Sequence, residues 1–98
     1  MSKKDSKTVS NSMEETKEYH VRYLRAVNNP IRREILRILK ERDMTIEDLC
    51  SKTKLDAKNL TWHLELLEYG FCVMKINIGD VLVYSLTQEG KVVDYIEK

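Results

Sequence analysis

The sequence predicts a mainly helical single domain with a small β-hairpin, in the order four helices, hairpin, helix. Three observations predict it. Apolar residues recur at helical spacing in four segments between Met13 and Tyr69. Two β-rich runs, Phe71 to Ile78 and Val81 to Leu86, flank the turn pair Gly79-Asp80. The chain has 98 residues with only three Gly and one Pro, enough for one core and too few breakers to fragment it.

Taken in order, residues 1–11 are Ser/Lys-rich and read as a flexible tail, leaving residues 12–98 as the domain. Ser12-Met13-Glu14-Glu15 has capping-box spacing and predicts a helix over about 13–27, with Tyr19, His20, Tyr23, Leu24 and Val27 on one stripe. Asn28-Asn29-Pro30 stops that helix and starts the next, Asn29 as N-cap and Pro30 in the first turn, where its missing N–H costs nothing. Ile31, Ile35, Ile38 and Leu39 form the second stripe. Arg32, Arg33 and Arg37 fall elsewhere on that cylinder and are expected to pair with Glu34 and Glu41, the alternative being backbone contacts.

After the polar break Glu41-Arg42-Asp43, Thr45 caps a short helix carrying Ile46, Leu49 and Cys50 on one face. Lys52 to Leu55 is a turn, and Asp56 caps a fourth helix whose buried stripe is Leu60, Leu64 and Leu67. Gly70 ends it, expected in the left-handed conformation. Val73, Lys75 and Asn77 then alternate with Met74, Ile76 and Ile78, as in a half-buried hairpin. Thr87 caps a last short helix with a Val92, Val93, Ile96 stripe. A helix–turn–helix followed by a two-stranded wing accounts for every segment.

Residues in that order resemble a known family. Asn29-Pro30-Ile31-Arg32-Arg33-Glu34-Ile35-Leu36 is similar to the "hP-x-R-x-x-I-L" opening of ArsR-like winged helix–turn–helix regulators. Thr45-Ile46-Glu47-Asp48-Leu49 looks like the start of their first helix–turn–helix helix. Leu55 to Gly70, with Thr61, His63-Leu64, Leu67 and the closing Gly, resembles their recognition helix. Tyr84-Ser85-Leu86-Thr87 and Gly90 resemble the close of the wing. The match spans about residues 28–90 and fits the small, archaeal-type members. It implies a homodimer, with the first and last helices packed across a two-fold axis, and a sequence-specific DNA-binding transcription regulator.

On a wheel of about 100° per residue, Lys58, Trp62 and Glu65 lie opposite the leucine stripe, flanked by Asn59 and Thr61. A recognition helix over residues 56–69 would present its N-terminal half to base edges in the major groove. The candidate DNA-binding residues are Lys54, Ala57, Lys58, Asn59, Thr61, Trp62 and Lys75. Asn59 suits adenine, Thr61 a base edge or thymine methyl, and Lys58 guanine or phosphate; the plainer reading of this face is an ordinary solvated helix surface. Trp62, the chain's sole Trp, either packs on thymine methyls or sugar, or is shielded by Leu66 and Tyr69. Lys75 is the wing's lone base, suited to phosphate, while Asp80 at the turn disfavours minor-groove insertion.

Other classes fit poorly. Many members of the family that the chain resembles sense metals through a helix motif resembling "ELCVCDL", but Asp48-Leu49-Cys50-Ser51-Lys52 offers one Cys where two are wanted, and residues 88–98 contain no His. A soft-metal site needs three or four converging donors, so no metal and no cofactor are expected. His63 reads as a structural hydrogen-bonding group. Cys50 and Cys72 read as small core residues, the alternative being a redox pair. No nucleophile–base pair or phosphate loop points to an enzyme. No apolar run approaches the ~20 residues of a membrane span, and with no secretory signal a cytoplasmic protein is expected. The competing reading is a winged-helix protein–protein interaction module without DNA binding, motivated by Trp62 with Leu66 and the weakly basic wing. Seventeen Lys+Arg against 16 Asp+Glu leave a net charge of +1, so DNA affinity would have to come from a local patch.

Overall fold

The computed structural model describes the backbone of residues 2–96 and the side chains of residues 15–93 and 95. Helices α1 (Ser2–Val27), α2 (Pro30–Glu41), α3 (Ile46–Thr53) and α4 (Ala57–Tyr69) precede strands β1 (Val73–Ile78) and β2 (Val81–Leu86). A 3₁₀ turn over Glu89–Val92 runs into α5 (Val93–Ile96). The order is that of a winged helix–turn–helix, as expected.

Helix α1 begins at Ser2, so Ser12 is an interior position and not the cap that its spacing suggested. The physical reason is that nothing before Asn28 breaks a helix, since the first Pro is Pro30 and the first Gly is Gly70. Asn29 caps α2 as expected, its side chain accepting from the N–H groups of Ile31 and Arg32 at 2.9 and 3.1 Å. Ile31 itself is exposed, because the first turn of α2 projects past the core. At α3 the Thr45–Asp48 capping box is complete in both directions.

The core is continuous from Ala26 and Val27 at the end of α1, through Ile35, Leu36, Ile38 and Leu39 of α2, to Leu49 of α3 and Leu60, Leu64 and Leu67 of α4. Cys72, Val73, Tyr84 and Val93 close it from the hairpin side. Truncating any of the α4 leucines to Ala should cost roughly 2–5 kcal/mol.

Gly70 is not left-handed; its φ is −91°, and the positive angle falls on Phe71 at 70°. What Gly70 supplies is space: a β-carbon there would stand 2.4 Å from the Ala26 β-carbon and 2.7 Å from the Arg22 carbonyl oxygen. Residues 71 and 72 are therefore used by the α4–β1 corner, and the strand starts at Val73 and not at Phe71. The hairpin pairs antiparallel from Val73↔Leu86 to Ile78↔Val81, with Gly79 at φ 65° in the turn.

Burial reaches from the base of the hairpin to Val83 and half-buried Ile76. Ile78, Val81 and Leu82 are exposed, because the tip projects beyond the helices that cover Val73 and Tyr84, and Met74 is exposed beside buried Val73. One contact invisible to periodicity anchors the base: Met44 and Tyr84 exchange both backbone hydrogen bonds, at 3.1 and 2.7 Å. Thr87 behaves as a cap, its hydroxyl accepting from Gly90 N–H at 3.1 Å, but the segment it opens begins as a 3₁₀ turn. Of its expected stripe Val93 is buried and Val92 half-buried, while the Ile96 side chain lies outside the described residues. On α1, Val21 and Leu24 are 63% and 58% exposed, and Tyr95 on α5 is 73% exposed.

Candidate nucleic-acid interface

The helix–turn–helix is set by short-range hydrogen bonds. Helix α3 ends at Lys54, left-handed at φ 65°, whose N–H bonds to the Cys50 carbonyl at 2.9 Å. The Thr53 hydroxyl donates to the Leu49 carbonyl at 2.7 Å and accepts from Leu55 N–H at 3.2 Å, fixing the turn. Asp56 then caps α4 by accepting from Asn59 N–H at 3.1 Å. With the α4 leucines buried on one side, the opposite side must face solvent.

That side carries the residues that the sequence singled out. Lys54, Ala57, Lys58, Asn59 and Trp62 are exposed, and Thr61 is half-buried at the edge. Lys52 is exposed on the neighbouring α3. Acidic residues lie farther along α4, at Glu65 and Glu68, so the helix has a basic N-terminal half and an acidic C-terminal half.

Lys75 belongs to the second half. Its Nζ lies 3.5 Å from Glu68 Oε1, ten residues along α4 from Lys58, or about 15 Å at helical rise. The structure thus gathers six of the seven expected residues and leaves Lys75 apart, paired with an acid. Both partners are about half exposed, so that pair is weak.

The arginines of α2 divide differently from expectation. Arg37 pairs with Glu34. Arg33 donates to the Val27 carbonyl at 3.0 Å. Arg32 is 6% exposed, its Nε donating to the Ala26 carbonyl and one Nη to the Arg25 carbonyl, both at 2.9 Å. The carbonyls at a helix end lack intrahelical partners and carry its negative dipole, so α1 supplies the compensation that a carboxylate was expected to give. The signal was present: Arg32 precedes Ile35, Leu36 and Leu39 at i+3, i+4 and i+7, on the buried face.

The other Nη of Arg32 is 3.2 Å from His63 Nδ1. A positively charged donor on Nδ1 requires that nitrogen to be the lone-pair acceptor, so His63 is neutral there. Burial, and then the Arg32 charge, hold the imidazole pKa below its usual value. Burial, and then Arg25, lower that of Arg32, which remains charged because arginine does not titrate in the physiological range. Trp62 meets this pair from outside. Its ring stands edge-on to the His63 ring at 4.9 Å between centroids, and the Arg32 guanidinium carbon is 5.7 Å from its centre. The indole nevertheless stays 55% exposed. Tyr69 has a different partner, with the Arg22 guanidinium 3.6 Å above its ring.

Cys72 is fully buried and its thiol is pushed up to about 12, by desolvation first and then by Glu89. Cys50 is half-buried; both are free thiols. Among the described residues, no group of three or more His, Cys, Asp or Glu stands where it could hold a metal ion. No described helix is long and apolar enough to cross a membrane.

Comparison with known proteins agrees with this geometry. The family model described as "Bacterial regulatory protein, arsR family" matches residues 29–69. The transcriptional repressor SdpR of Bacillus subtilis (strain 168) is 31% identical over 62 residues, which is 63% of this chain and 69% of SdpR. A homodimeric winged helix–turn–helix DNA-binding domain from Mycobacterium bovis, described as a possible ArsR-family transcriptional regulator, superposes with TM-score 0.78 at 17% identity, over 86% of this chain and 80% of that one. NolR from Sinorhizobium fredii gives TM-score 0.73 at 25% identity over 88% of each chain.

Proposed function

The chain belongs to the arsR family of regulatory proteins, a non-enzymatic class of winged helix–turn–helix transcription regulators, and from that premise we propose that it binds double-stranded DNA sequence-specifically as a homodimer. The observation that carries this reading is the exposed face of α4, where Lys58, Asn59 and Trp62 stand beside Lys54 and half-buried Thr61, with the leucines locked behind them.

Each residue has a role on that reading. Lys54 and Lys58 contact phosphate or guanine, and the small Ala57 lets the backbone approach. Asn59 and Thr61 read base edges, and Trp62 packs on a thymine methyl or sugar. Lys75 contributes a weaker phosphate contact, since it must first leave Glu68. The dimer is supported by Val21 and Leu24 of α1 and Tyr95 of α5, exposed apolar groups on the two terminal helices, and by the homodimeric state of the Mycobacterium bovis relative. Two recognition helices in successive major grooves would be about 34 Å apart, which calls for a roughly palindromic operator.

The test is binding to duplexes selected from a random pool and to the source organism's upstream regions, measured by fluorescence anisotropy across salt. Tight, salt-dependent binding to a two-fold-related sequence is expected, and Asn59→Ala should relax preference at one base position of each half-site. Absence of binding at low salt would overturn the reading. A winged-helix protein-interaction module is the second reading, favoured by the exposed Met74, Ile78, Val81 and Leu82 of the hairpin. It predicts that substitutions there, and not on α4, abolish the biological effect.

A further inference from the structure

The contact between Arg32 and His63 joins two regions that the DNA-binding reading treats separately. Arg32 lies on α2, outside the helix–turn–helix proper, and meets α4 at buried His63 and at the ring of exposed Trp62. Its guanidinium is fixed on three sides: by the carbonyls of Arg25 and Ala26 at the last turn of α1, and by Nδ1 of His63. The planar fork of arginine matches three acceptors in set directions, as the ammonium of lysine cannot. His63, so held, offers its ring to the edge-on contact with Trp62. A large aromatic 55% exposed on a helix surface has several accessible rotamers unless something fixes it. The His63 ring and the guanidinium restrict those rotamers from below.

We propose that Arg32 is a specificity-positioning residue: through its hydrogen bond to His63 it fixes the orientation in which the Trp62 indole is presented on the outer face of α4. The inference rests on the DNA-binding reading and adds a determinant that never touches DNA. Since the same guanidinium holds the carbonyl end of α1, the indole is oriented relative to that helix and not only relative to α4. In a dimer built on α1, the Trp62 side chains of the two protomers would then be set against one frame. The Arg32 charge opposes a protonated His63, and Arg25 from α1 acts in turn on Arg32.

The experiment compares the full-length wild type with Arg32→Lys, His63→Leu and His63→Gln, each checked for fold by circular dichroism. Two quantities are measured: emission of Trp62, the sole Trp, and the ratio of affinities for a wild-type-selected duplex and for one altered at the Trp62-proximal base pair. His63→Leu fills the site but removes the acceptor. It should change the emission anisotropy and lower the discrimination ratio by about tenfold, the effect of losing one base-pair preference. His63→Gln restores an acceptor oxygen for Arg32 but not the ring that meets Trp62, so it should recover the ratio only in part; Arg32→Lys should resemble His63→Leu. Salt-dependent non-specific affinity should be the same in all four. Should Arg32→Lys fail to fold, the two His63 variants carry the test, since they leave the α1 clasp intact. Wild-type discrimination in a folded His63→Leu overturns the proposal alone. A wild type that binds no duplex overturns the DNA reading, and the proposal with it.

Discussion

Gly70 passes beneath Ala26 so closely that a β-carbon at position 70 would lie 2.4 Å from that of Ala26. This is where α1 crosses the end of α4, and Arg22 reinforces it by donating from Nε to the Tyr69 carbonyl at 2.9 Å. Helix α4 is therefore held against α1 at its C-terminal end by a steric fit, and at its midpoint through Arg32 and His63.

Gly70→Ala should destabilise the fold by about 2 kcal/mol, because both obstructing atoms belong to packed helices and one is backbone. Thermal unfolding should show a drop on the order of 10 °C for a domain of this size. Gly79→Ala is the comparison. It has open space around the β-carbon but a φ of 65°, so only the smaller left-handed penalty of about 1 kcal/mol applies. Equal losses at the two positions would contradict the steric account.

His63 makes stability depend on pH in a definite direction. Its imidazole pKa is lowered in the folded protein, by burial first and then by Arg32, so the unfolded chain binds the proton more readily. Stability should be level above about pH 6.5 and fall as pH drops below the unfolded value. Denaturant melts across pH 8 to 5 should show this decline, and His63→Gln should flatten it. A variant that declines as steeply as wild type would assign the effect to other groups.

The two thiols should differ in reactivity. With its pKa pushed up to about 12 and its Sγ donating to the Gly70 carbonyl at 3.6 Å, Cys72 has almost no thiolate at pH 8. A thiol reagent added to native protein should modify Cys50 alone, and Cys72 should react once guanidinium unfolds the chain. Rapid modification of both in the native state would revive a redox role for the pair.

Lys58 and Lys75 should contribute unequally to DNA affinity. Each phosphate contact changes the slope of log affinity against log salt by about 0.9. Lys58→Ala should lower the slope by about that amount, and Lys75→Ala by clearly less, because Lys75 already interacts with Glu68. Glu68→Gln should raise affinity by releasing Lys75. An equal loss for the two lysines would mean that the pair opens freely on binding.

The dimer has its own test. Leu24→Glu places a charge at an exposed site, leaves the core untouched, and should shift sedimentation from dimer to monomer. Unchanged sedimentation would move the interface elsewhere.

The sequence by itself determined the element order and the stripes that build the core, since local hydrogen bonds and apolar spacing decide both. Asn29, Thr45 and Asp56 cap where their side chains predict, and Leu60, Leu64 and Leu67 are buried where their period puts them. It also put Lys58, Asn59 and Trp62 on the open face, because that face is whatever the leucines leave over. Tertiary structure decided the rest. The low net charge of +1 gave no sign that Lys75 would be drawn to Glu68, a pairing that exists only after the hairpin folds back along α4. Arg32 looked like a surface cation in search of a carboxylate, and it is buried because the end of α1 arrives with two carbonyls to receive it. Gly70 looked like a left-handed cap and is instead a point of close approach. In each case the deciding partner lies on a different helix or strand, where the periodicity of one element carries no information and only packing brings the atoms together.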